Sequence, residues 1–140
     1  MSVMNMYFRA GSDDAALASP PSGPEDAVFG VDPVVQVGTF AALLTDRPYD
    51  EISGDPEWAR LISDPESPES WTVSLPDTFT SALADATADH LSELAEPWSR
   101  SEEFMGQADP TALAGMLGQL KTLAVAARDN DDHLYCLISL

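Results

Sequence analysis

The chain has 140 residues, enough for one domain around one core. Its 24 acidic residues against 6 basic ones give a formal charge of −18 and a pI of about 4.1. A surface of that sign has no basic patch to release counterions, which excludes nucleic acid and anionic membrane as expected partners.

In chain order, residues 3–9 read as a strand that starts almost at the first residue. Segments so near a terminus stay ordered when tied into a sheet or core. Residues 11–26 are rich in Ser, Pro, Gly and Asp and read as a flexible loop. Asp32-Pro33 opens a helix, with Asp as cap and Pro in the first turn. Val34, Val37, Phe40, Ala41 and Leu44 form its apolar stripe. Residues 45–51 close it with a polar turn. Asp55-Pro56 predicts a shorter helix over 57–63, with Trp58, Leu61 and Ile62 on its apolar side. Residues 64–70 hold two prolines in four positions and read as a second loop. Residues 71–75 suit a short strand.

Pro76 begins a third helix, predicted to run to about residue 95. Phe79, Leu83, Ala86, His90 and Leu94 fall near one face of it. Glu96-Pro97-Trp98 is its expected stop, and residues 101–104 suit one further turn. Asp109-Pro110 then starts the longest helix. Leu113, Met116, Leu117, Leu120, Leu123, Ala124 and Ala127 recur along it at helical spacing. The acid-rich residues 128–132 break the pattern. Residues 133–140 form an apolar run that suits a buried strand. The two terminal strands are predicted to lie in one sheet. The expected fold is a single α+β domain over 1–140, a small sheet with paired N- and C-terminal strands covered by three or more helices.

The order of features resembles the YfbM-like family of small uncharacterised bacterial proteins, a domain of unknown function. The residues that carry it are 31–45, Val-Asp-Pro-Val-Val-Gln-Val-Gly-Thr-Phe-Ala-Ala-Leu-Leu-Thr. They are similar to a family helix with an aspartate, an apolar stripe and a Leu-Leu-Thr-Gly ending. A later amphipathic helix resembles residues 75–99, and a final helix plus strand resembles residues 113–140. Asp46 stands where the family often has Gly, and Gln36 and Val37 lie where it commonly has a tryptophan. The resemblance implies a fold; it brings no activity with it.

No catalytic constellation is legible. Cys136 is the single cysteine, so no internal disulfide and no cysteine zinc site can form within one chain. It lies in an apolar run, where burial should leave its thiol inert. His133 lies three residues away, which on a strand puts the two on opposite faces. Asp129, Asp131 and Asp132 lack the glycine and distal glutamate of a calcium loop. No phosphate-cradling glycine motif and no Gly-x-Ser-x-Gly occurs. No metal or cofactor is expected, and the reading leans away from an enzyme. No basic segment leads into an apolar one near the start, and no apolar run is long enough to span a bilayer. Cytoplasmic residence is therefore the default expectation.

Two clusters of aromatics among carboxylates are the expected partner-binding residues. The first holds Asp46, Arg47, Tyr49, Asp50 and Glu51. The second holds Trp98, Glu102 and Glu103. The bland alternative is that their aromatics fold back onto the core. The functional expectation is a non-enzymatic acidic interaction domain of the immunity or antitoxin sort, which binds and blocks a basic effector protein. The alternative is a small-molecule-binding or enzymatic domain with a pocket near His90 or the Tyr49 loop. An acidic proteome would explain the charge without either.

Overall fold

The computed structural model describes residues 4–18, 27–66, 70–101, 104 and 108–139. Strand β1 (Met4–Ala10) pairs along its whole length with strand β5 (His133–Ser139), antiparallel, from Met4 opposite Ser139 to Ala10 opposite His133. The two terminal strands thus lie paired in one sheet, as predicted, and the structure puts them at its centre. Strand β2 (Ala27–Gly30) flanks β1, and strand β4 (Ser70–Ser74) flanks β5. Strand β3 (Arg60–Leu61) closes the far edge, giving the order β2-β1-β5-β4-β3 with every pairing antiparallel. This is an α+β domain.

The sheet is covered unequally. Tyr7, Val73, Leu134 and Cys136 face a large core shared with helix α2 (Gln36–Thr45), α4 (Asp77–Asp85), α5 (Ala88–Ser99) and α6 (Pro110–Asp129). Phe8 and Tyr135 face the other side. There, Ala16 of the short helix α1 (Asp13–Ala18) completes a small separate cluster. A further short helix, α3 (Tyr49–Ser53), follows α2.

Helix α6 begins as its sequence predicts: the Asp109 side chain accepts the Thr111 N–H at 3.0 Å, with Pro110 first in the helix. All of its predicted stripe is buried except Met116, which is half-buried.

Four expectations change. First, α1 occupies residues 13–18 of the predicted 11–26 loop, with the Ser12 hydroxyl accepting the Ala15 N–H; residues 19–26 lie outside the described residues. Strand β2 follows in a stretch whose four residues carry too little pattern to announce it.

Second, Asp32 caps a turn rather than α2 itself. Its carboxylate accepts the Val35 N–H at 2.7 Å, and the Gln36 side chain returns to the Asp32 N–H at 2.9 Å. The regular helix therefore starts at Gln36, and Val34 is left exposed. Helix α3 begins within the predicted polar turn and runs two residues past it.

Third, residues 57–63 are not a helix. Asp55 accepts the Glu57 N–H in an Asx turn, Ala59 takes a positive φ of 49°, and the chain reverses into β3. Leu61 is exposed, while Trp58 is buried and its indole N–H donates to the Val34 carbonyl at 3.3 Å.

Fourth, the helix predicted from Pro76 divides in two. Ala86 and Thr87 are extended, and the Thr87 hydroxyl caps α5 by accepting the His90 N–H. The ammonium of Lys121, the single lysine, bonds the Ala84 and Ala86 carbonyls that the break frees. Both halves then pack on α6. Helix α5 also runs through Pro97 to Ser99 instead of stopping before it.

Candidate functional site

The polar side chains gather where β5 begins and β1 and β4 end. His133 opens β5, and its Nδ1 lies 2.7 Å from Oδ1 of Asp77 in the first turn of α4. A carboxylate there faces the positive end of the helix dipole. Two residues along β5, the Tyr135 hydroxyl donates to Asp13 Oδ1 at 2.9 Å. Arg60 of β3 holds the other Asp13 oxygen at 3.0 Å and reaches Glu57 at 3.6 Å. Tyr135, Ser74 and Arg60 stand side by side across three strands, so sheet register sets this row.

Two cavities share Asp77 and His133 as a common wall. One of about 200 Å³ is lined by Asp13, Glu57, Arg60, Ser74 and Tyr135 among others. The other, of about 310 Å³, is lined by Thr80, Ser81, Arg128, Asp131 and Asp132. The Arg60 guanidinium, followed by the Tyr135 hydroxyl bond, holds the Asp13 carboxyl below its usual range. Burial, then the bond to Asp13, pushes the Tyr135 phenol up. Arg128 is bound to Asp85 at 2.6 Å, and Arg9 to Asp132 at 2.5 Å. The Asp77 contact fixes the orientation of the imidazole. Asp77 is the one hydrogen-bonded side chain of His133 among the described residues.

The first predicted cluster surrounds the α2–α3 connection. Asp46 ends α2 in the left-handed conformation, φ 53°, in which glycine is the usual occupant. Arg47 pairs with Glu51 at 3.1 Å, and Asp46, Asp50 and Glu51 are exposed. Tyr49 folds back, half-buried, onto Gly38. A Cβ at Gly38 would lie 3.2 Å from both the Tyr49 and Trp58 rings, so the glycine makes room for them. Thr39, Ala42, Leu43, Asp46, Arg47 and Pro48 line an open depression of about 470 Å³.

In the second predicted cluster, Trp98 does not reach the surface. Trp98 is fully buried, meets Phe40 at a tilt and Phe104 edge to face, and donates its indole N–H to the Gln36 carbonyl at 2.8 Å. It is a core residue because helix α5 continues through Pro97 and carries it inward. Glu102 and Glu103 lie outside the described residues. His90 is exposed beside Glu93, 3.8 Å away, and lines none of the depressions above. Cys136 is buried, and that burial pushes its thiol well up.

Sequence reading missed the Asp13, Arg60, Asp77 and Tyr135 group entirely. Their positions are scattered along the chain, and sheet register together with the placement of α1 and α4 brings them together. Comparison of the chain with protein-family models, with curated proteins and with solved structures finds no match.

Proposed function

We propose that this is a non-enzymatic acidic interaction protein of the immunity or antitoxin kind, binding and blocking a basic protein partner in the cytoplasm. One observation carries the reading: every basic side chain is already committed internally. Arg9, Arg47, Arg60, Arg100 and Arg128 each pair with a carboxylate, and Lys121 bonds backbone carbonyls. The outward field is therefore negative with no free cation among the described residues to offset it. Such a field speeds encounter with a positive surface and repels anionic competitors. Asp46, Asp50 and Glu51, ranged beside the depression near Leu43, are the contact residues of this reading, with Arg47 and Tyr49 shaping the loop.

The test is capture on the immobilised protein at low and high salt, with each retained protein identified. A basic protein should be held at low salt and released at high salt. The triple variant Asp46→Asn, Asp50→Asn, Glu51→Gln should lose it. Retention of no basic protein, or undiminished capture by the triple variant, ends the proposal. A second reading, a small-molecule pocket beside the Tyr49 loop, has the depression of about 470 Å³ in its favour. Kinship with the YfbM-like family is likewise a proposal, resting on residues 31–45; profile comparison with that family's own sequences tests it.

A further inference from the structure

The depressions on this molecule are not scattered. The one beside Leu43 shares Arg47 with a narrow cleft of about 20 Å³ at Trp58, Asp55 and Thr78. That cleft shares Pro76 with the cavity at Arg60 and Tyr135. This cavity in turn shares Asp77 and His133 with the one at Arg128 and Asp131. Four concavities thus neighbour one another in series through shared lining residues, from the α2–α3 connection to the turn before β5.

The charges along this line are uneven in a specific way. Its three arginines are each clamped by a carboxylate: Arg47 by Glu51, Arg60 by Asp13, Arg128 by Asp85. Asp46, Asp55 and Asp131 line the same path with no arginine, lysine or histidine partner among the described residues, while Asp77 between them is bound to His133. Carboxylates without an arginine or lysine to offset them are therefore spaced along this series of depressions instead of gathered at one point. A single small cation would meet one of these carboxylates at a time. An extended chain can meet several in turn, and its alternating side chains can enter successive depressions.

We propose that this trough receives an extended, arginine- or lysine-rich polypeptide segment of the partner, running from Asp46 past Pro76 to Asp131. The inference rests on the basic-partner reading above and adds the shape of what is bound.

The probe is a short synthetic peptide of alternating arginine and serine, titrated into the ¹⁵N-labelled full chain, with spermine as the small-cation comparison. Asp46→Asn and Asp131→Asn are the informative variants. Both positions have a positive φ, which asparagine tolerates well, so the fold should persist. Amide shifts are expected at both ends of the trough and at Asp77 and His133 between them. Each variant should weaken the peptide about three- to fivefold, the scale of an exposed ion pair, and the double variant by about the product. The pair Asp89→Asn and Glu93→Gln on α5 removes the same charge elsewhere and should leave affinity within about twofold, as screening predicts.

Shifts confined to one end, or equal weakening by the α5 pair, overturn the trough. Spermine binding there as tightly as the peptide assigns it to a small polyamine instead. Salt-sensitive peptide binding at another surface removes the trough and leaves the basic-partner reading standing. Binding of neither probe at low salt removes both.

Discussion

Tyr7 and Tyr135 sit on neighbouring central strands and face opposite sides of the sheet. Tyr7 points into the layer built by α2, α4, α5 and α6, and its hydroxyl donates to the Val31 carbonyl. Tyr135 points to the thinly covered side, and its hydroxyl donates to the Asp13 carboxylate. Both rings are buried, and burial pushes both phenols up. The difference lies in what the hydroxyl meets. Under the helices it finds a backbone group and closes a core. Under α1 it finds a charged rim and fixes the wall of a cavity. One face of the sheet supplies stability, and the end of the other supplies a polar surface held in register.

Substitutions can break or sharpen this contrast. The largest effect belongs to the helix-covered side. Trp98→Ala removes a fully buried ring and its indole hydrogen bond to the Gln36 carbonyl. A loss of about 3–5 kcal/mol is expected from urea unfolding midpoints at unchanged slope. A loss below about 1 kcal/mol would mean that the core tolerates the void and that the two sides do not differ.

On the rim, Tyr135→Phe keeps the ring and deletes one hydrogen bond to a carboxylate that Arg60 still holds. About 1 kcal/mol is expected in the same assay. The smallest effect is in the pH dependence. Asp13 holds its proton less tightly when folded than when unfolded, because Arg60 and Tyr135 favour its charged form. Its contribution is therefore complete above the unfolded carboxyl value of about 3.9 and fades as pH falls through the lower folded value. Asp13→Asn should flatten that acid limb of the stability profile and leave its slope at neutral pH unchanged. An unaltered acid limb would remove Asp13 from the rim's electrostatics.

Much of the fold was legible because its signals are local. The Asp109-Pro110 start, the stripe of α6 and the apolar runs at both ends each announce themselves within a few residues. Their pairing in one sheet followed from the need of two apolar terminal segments for hydrogen-bonding neighbours, and the structure adds that it is antiparallel. The failures share a cause as well. Periodicity ran unbroken from Phe79 through His90, but an extended Thr87 and the reach of Lys121 divided the helix. Pro97 looked like a stop, but the burial of Trp98 favours continuation beyond it. Asp55-Pro56 looked like another helix start, but pairing with β4 drew the following residues into a strand. In each case a contact with a distant segment outweighed a local preference of the order of 1 kcal/mol.

The same division holds for the candidate surfaces. The Asp46–Glu51 cluster could be read because its carboxylates are consecutive and sit at a helix end. The meeting of His133 with Asp77, and of Tyr135 with Asp13 and Arg60, could not. Composition by itself determined the sign of the surface, and hydrophobic pattern determined which termini enter the sheet, because both are sums over neighbouring residues. Tertiary structure alone decided which acids stay without a cationic partner and which line a cavity. Those outcomes depend on strand register and helix placement, where one residue of slip would turn every side chain of β5 to the other face.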